Sequence, residues 1–135
     1  MAFLIHSTDD GHVLPWEYLP CGAITPKVGM ALTQSSGNLA IATGTTKPTY
    51  ISMVDKETAC TAGDIIPVVR VTPDTIFETS NSASFSGMTK GSKVTLHASS
   101  GMQVTATTSS GVAEVVDFDD VAAAGTGGKV LVRFA

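Results

Sequence analysis

The chain resembles itself at a fixed offset, and a duplicated stretch constrains a fold more tightly than any single strand can. Two Ser-Ser-Gly turns, ending at Gly37 and Gly101, lie sixty-four positions apart. Holding that offset sets Thr25 on Thr89, Leu32 on Leu96, Ala42 on Ala106, Thr43 on Thr107, Asp55 on Asp119, Gly63 on Gly127 and Val68 on Val132. A one-residue gap then brings Arg70 onto Arg133. Apolar character persists where identity is lost, as at Ile24 and Met88, Met30 and Val94, Ile51 and Val115, and Ile66 and Val130. The pattern predicts pseudo-repeats over about 24–71 and 88–135, each a hairpin, a third strand, a short loop and a closing strand.

Strand signals fill both halves: short runs rich in Val, Ile and Thr, broken by Gly, Ser, Asn and Pro. Candidate strands are 28–33, 39–43, 50–54, 65–71, 75–79, 93–98, 103–107, 112–117 and 129–134. Ser35-Ser36-Gly37-Asn38 reads as a hairpin turn in which glycine supplies positive φ, and Ala98-Ser99-Ser100-Gly101 as its counterpart. One short helix is expected over Asp119 to Ala124. The class is therefore all-β, and the two halves are expected to pair into one compact small β-barrel over 23–135. Closure would remove exposed strand edges from a weakly charged protein. Pro73 to Lys90 would cross between the halves, with 81–87 a surface loop.

The first twenty-two residues stand outside the repeat. They hold Trp16, Tyr18, Leu14, Leu19 and the apolar Phe3-Leu4-Ile5, punctuated by Pro15 and Pro20. Proline disfavours helix interiors and central strands, so residues 1–22 read as an extended N-terminal arm. Sequence leaves open whether that arm packs on its own barrel, with Trp16 plugging one end, or on a partner.

Charged residues are only 15% of the 135, against roughly 25% in soluble domains generally. The polar surface must be built from Thr, Ser, Gly and Asn, and hydroxyls that find partners are far easier to desolvate than ionised Lys or Glu. Such a composition favours a surface that is covered in the working state. A net charge of −4 with scattered Lys and Arg argues against nucleic acid. No window is long and apolar enough for a membrane helix, and Met1 to His6 lacks a secretory pattern, which predicts synthesis in the cytoplasm. Cys21 and Cys60 are expected as free thiols.

Chemistry-bearing patterns are sparse. His6, His12 and His97 are the only bases, none has an acid and a nucleophile at a recognisable spacing, and no GxSxG elbow occurs. The cluster His6, Asp9, Asp10 and His12 fits neither a helix-borne zinc pair nor a calcium loop. Asp117, Asp119 and Asp120 read as a strand exit and a helix N-cap. Gly125-Thr126-Gly127-Gly128-Lys129 lacks the phosphate-loop spacing and precedes a strand, so no helix N-terminus meets it. The expectation is no enzyme, no catalytic residues, no cofactor and no metal.

Several stretches resemble small head-decoration, or capsid cement, proteins of tailed bacteriophages: Thr25-Pro26-Lys27-Val28-Gly29-Met30-Ala31-Leu32, the hairpin Ser36-Gly37-Asn38-Leu39-Ala40, the run Ala42 to Ile51, and the ending Val130-Leu131-Val132-Arg133-Phe134. The resemblance covers most of the chain after residue 22. It implies a β-rich protein without catalytic residues, located on the exterior of the virion capsid and stabilising contacts between major capsid protein subunits. It also implies a homo-oligomer, with a trimer favoured, and an arm laid on the shell. On that reading Phe3, Leu4, Ile5, Trp16 and Tyr18 are the capsid-interface anchors, and residues 2–14 are dispensable for folding. The competing readings are a carbohydrate- or cell-surface-binding β module and a tail-tube or head-fibre component.

Overall fold

A computed structural model of the chain describes residues 2–9, 11 and 13–134. In chain order the elements are β1 (Leu4–Thr8), β2 (Trp16–Cys21), β3 (Ala31–Ser35), β4 (Asn38–Ile41), β5 (Tyr50–Ser52), β6 (Asp64–Arg70), β7 (Thr75–Ser80), β8 (Lys93–Val94), β9 (Ala113–Phe118), α1 (Asp120–Ala124) and β10 (Lys129–Arg133). The all-β class holds. The single barrel built from both halves does not form: two sheets pack together, one open in the order β1-β7-β10-β9-β8, the other running β2-β4-β3-β5-β6 and curling into a ring. That ring closes through one parallel pair, Cys21 with Leu39.

Turn chemistry sets the local geometry. Ser35 pairs with Asn38 across a two-residue turn in which Ser36 and Gly37 both take positive φ, 51° and 83°, the mirror-image turn whose twist suits a hairpin. At the expected helix, Asp119 is the N-cap and its carboxylate accepts from Ala122 N at 2.9 Å. Of the other expected strands, 103–107 is reduced to a bridge at Val104, which meets Leu96 on one side and Asn81 on the other.

The two stretches offset by sixty-four residues share a pairing scheme. β3 pairs with β5 and β5 with β6; β8 pairs with β9 and β9 with β10. β6 then takes β2 as an antiparallel neighbour, and β10 takes β7. Register makes the match specific, because Ile66 faces Leu19 while Val130, sixty-four residues on, faces Thr79. Cys21 thereby occupies the place of Asn81, and each makes a parallel contact to its own hairpin, at Leu39 and Val104.

Residues 1–22 are not an arm apart from the fold. β1 lies antiparallel on β7, from Leu4 opposite Glu78 to Thr8 opposite Thr75, and β2 is a wall of the ring. Phe3 and Leu14 are buried, and the Phe3 ring meets that of Phe134 edge-on at 5.3 Å between centroids. Backbone anchoring continues at Phe3 N, which donates to Gly29 O at 2.8 Å. Deleting residues 2–14 would therefore remove core. The expected surface loop 81–87 is also anchored, with Asn81 and Phe85 both buried.

Two cores result. Cys21, Met30, Leu32, Leu39, Tyr50, Cys60, Ile66 and Val68 fill the ring. Strand alternation turns Ala31, Ile51 and Val69 outward from it, where they join Phe77, Val94, Val115, Val130 and Val132 between the sheets. Truncating Phe3 to Ala should lower the unfolding free energy by about 3–5 kcal/mol, whereas Leu4→Ala, on the exposed side of β1, should change it by less than about 1 kcal/mol. Urea denaturation of the two variants checks the contrast.

Candidate functional site

β2 carries alternate residues to opposite sides. Leu19 and Cys21 belong to the ring interior, so Trp16, Tyr18 and Pro20 project outward. Opposite them on β6 stand Val69, Pro67 and Ile65. Val69 is covered by the second sheet, but the strip runs past that cover. Tyr18 is 65% exposed, Ile65 61% and Trp16 51%. Three large apolar side chains thus sit on a two-stranded ladder, each of them at least half exposed.

The strip is bordered by one firm ionic contact. Arg70 donates through Nε and Nη2 to the two Glu17 carboxylate oxygens at 3.1 and 3.0 Å, and its guanidinium lies 5.1 Å from the centre of the Tyr50 ring. This forked pair raises the proton affinity of Arg70, chiefly through the hydrogen bonding to Glu17. It fixes the charge at the end of the ring and away from the outward face.

Of the five expected anchors, Phe3 is core and cannot touch a partner. Leu4 and Ile5 are exposed but part company: Leu4 borders a shallow depression with Glu78 and Lys129, while Ile5 shares a groove with Val13, Leu14 and Trp16. Trp16 and Tyr18 fall on one face as the i, i+2 spacing of a strand requires. Sequence reading missed Ile65 and the 90%-exposed Val13. The run Asp64-Ile65-Ile66-Pro67-Val68-Val69 held the clue, because a strand with consecutive apolar residues must show some of them on each face.

The other chemistry-bearing residues have structural employment. His97 Nδ1 accepts from Ser100 N at 3.3 Å and lies 3.1 Å from Ser100 Oγ, so the ring caps the 98–101 turn. Gly127 N and Gly128 N donate to Asn81 O and Oδ1, each at 2.9 Å, so the glycine-rich run spends these amides on Asn81. Asp119 caps α1 and Asp117 meets Lys90 at 3.1 Å. Of the His6, Asp9, Asp10 and His12 cluster, Asp10 and His12 lie outside the described residues. Among the described residues no three His, Cys, Asp or Glu side chains gather as a metal site, and no helix is long and apolar enough to cross a membrane.

Cys21 and Cys60 are free and buried. Burial, followed by the hydrogen bond to Cys60, pushes the Cys21 thiol up to about 12. Comparison of the chain with protein-family models, curated proteins and solved structures found no match.

Two pH effects follow. Unfolding frees Cys21 to ionise near its ordinary value of 9.0, so this thiol favours the folded state below that value and its contribution is lost as pH rises toward about 12. Asp117, lowered mainly by Lys90, and Asp119, lowered mainly by the Ala122 amide, act oppositely: their contribution is present above the ordinary carboxylate value and is lost as pH falls from there through the lowered folded-state value. Thermal melts should show a maximum between these limits, and Cys21→Ser should flatten the alkaline side.

Proposed function

We propose that the protein is a structural module that binds another protein surface, and that the surface is the outside of a bacteriophage capsid, where it stabilises contacts between major capsid protein subunits. One observation carries the reading: Trp16, Tyr18 and Ile65 are exposed together on a rigid two-stranded ladder in a chain with few charges. Large aromatic and aliphatic side chains held in fixed positions are what interfaces use as anchors, because little side-chain freedom is lost when a partner covers them. A surface of hydroxyls around them adds hydrogen bonds at small desolvation cost. The capsid is named on the resemblance of residues 25–51 and 130–134 to head-decoration proteins. Non-catalytic action, a homo-oligomeric form with a trimer favoured, and a place on the virion exterior after synthesis in the bacterial cytoplasm belong to the same proposal.

The anchors now proposed are Trp16, Tyr18 and Ile65, with Ile5 and Val13 beside them, in place of a set that included Phe3. A second reading draws on the same strip. Two aromatic rings two residues apart on one strand face also make a platform for stacking a sugar, which keeps a carbohydrate-binding module in contention, and a glycan array separates the two.

The deciding experiment is sedimentation with purified shells that lack decoration protein. The chain should co-sediment saturably, and the double variant Trp16→Ala/Tyr18→Ala, folded by circular dichroism, should bind at least roughly a hundredfold more weakly, as loss of two anchor side chains implies. Equal binding by the variant, or none by the parent chain, would sink the reading.

A further inference from the structure

The likeness between the two strand sets breaks at one place. Along β7, residues 75–78 carry β1 on the side away from β10. By register Trp16 stands where Ile76 does and Tyr18 where Glu78 does. No described strand lies along β2 over Trp16–Leu19 on the side away from β6; β4 reaches it only at Cys21.

Backbone direction shows that this edge is chemically open. Pro67 O accepts at 3.0 Å from the N–H of Met53, the residue that follows β5, so Pro67 turns its backbone polar groups toward the β5 side and away from β2. Residues directly opposite one another in an antiparallel ladder share that orientation. Tyr18, opposite Pro67, therefore points its N–H and C=O away from β6, as do Trp16 and Pro20 two residues to either side. The alternation continues at Gly22, whose N–H donates to Leu39 O at 2.9 Å. Pro20, lacking an N–H, falls at an outward position, where proline is tolerated in an edge strand.

The side chains differ in the same place. Glu78 and Lys129 form an ion pair at 3.5 Å beside the edge that β1 covers, whereas Tyr18 and Ile65 hold the matching positions beside the open edge.

We propose that the edge of β2 at Trp16–Tyr18 is a strand-accepting site, filled by an extended, uncharged segment of a protein partner that adds to β2 as β1 adds to β7. The chemistry of the occupant is read from β1 itself. Its sequence Leu-Ile-His-Ser-Thr has no Lys, Arg, Asp or Glu and opens with two large apolar residues. Added to β2, such a segment would pair with the outward backbone groups of Trp16 and Tyr18 and lie beside their rings, combining main-chain affinity with side-chain selectivity. An ionised segment would have to give up its hydration against Trp16, Tyr18 and Ile65, where the bordering cation, Arg70, is already held by Glu17.

The inference rests on the reading of the protein as a binder of protein surfaces, and its test contains no shell, so the two can fail separately. The probe is the synthetic peptide Phe-Leu-Ile-His-Ser-Thr, the sequence of residues 3–8, titrated into the full chain while amide hydrogen exchange is followed by NMR. In the free, dilute chain the Tyr18 amide should exchange roughly a hundredfold faster than those of Glu17 and Leu19, which face β6. Peptide should slow the Tyr18 amide saturably. Tyr18→Ala removes the ring and keeps the N–H; Tyr18→Pro removes both without touching a β2–β6 ladder bond. The proline variant should bind roughly fivefold more weakly than the alanine variant, the worth of one hydrogen bond. Four results overturn the proposal: a Tyr18 amide as slow as Glu17 in the free chain, protection that depends on protein concentration alone and so reports a second copy, no response of Tyr18 to peptide, or equal binding by the two variants. The exchange measurement on the unaltered chain decides the matter if the proline variant does not fold.

Discussion

Each strand set is drawn together where the chain at the end of β2 or just past β7 meets the hairpin it must reach. In the first set the meeting residue is Cys21, fully buried and paired in parallel with Leu39; in the second it is Asn81, fully buried and bridged to Val104. A single parallel contact is a slender seam, and the side chain at that position determines how it is held. Cys21 contributes a small apolar group to the ring core beside Cys60. Asn81 instead joins polar backbone: its amide donates to Ala83, Ala122 and Gly125 carbonyls at 2.7–3.0 Å and its carbonyl accepts from Gly128. With these bonds α1 and the loop before β10 are tied to the seam, and a Cβ at Gly128 would lie 2.1 Å from Ala122 N. A buried amide with every polar group engaged rigidifies what it touches.

Closing the ring has a consequence for the outer face. A strongly curved sheet shows more of its outer surface than the second sheet can cover, so Ala31, Ile51 and Val69 are buried between sheets while Tyr18, Ile65 and part of Trp16 remain in solvent. The exposed strip is thus the continuation of a buried surface past the end of its cover. Its residues need no distortion of the backbone to be presented, and they stand on the same ladder that supports the core.

Much of this was legible in the sequence wherever a local rule acts alone. Ser36-Gly37 specified a hairpin because both positions need positive φ, and Asp119 specified a cap because its carboxylate has an amide three residues on to accept from. The offset of sixty-four aligned Ile66 with Val130 in registers that do correspond in space. Legibility failed where tertiary context overrides the local rule. Pro15 and Pro20 suggested an arm, yet Pro20 is accommodated in β2 because its missing N–H falls on the side away from β6. Asn81 sits in a run of Ser and Ala that reads as solvent loop, and only its four long-range hydrogen bonds, to partners as distant as Gly128, reveal a buried anchor. Phe3 looked like an interface residue because its ring partner, Phe134, lies at the other end of the chain.

Sparse charge connects these features. The ion pairs seen among the described residues are peripheral, Arg70 with Glu17, Lys90 with Asp117 and Lys129 with Glu78, and such exposed pairs contribute little to stability. Charge at an edge or on an outer face serves a different end, discouraging neighbours from adding to it. In the second strand set Glu78 and Lys129 guard a ladder that β1 already completes. In the first set Tyr18 and Ile65 take those positions, and the guard is missing where the ladder ends. A chain that omits that protection beside an open β2 edge is exposed to unwanted pairing, a liability that disappears once a partner covers the strip.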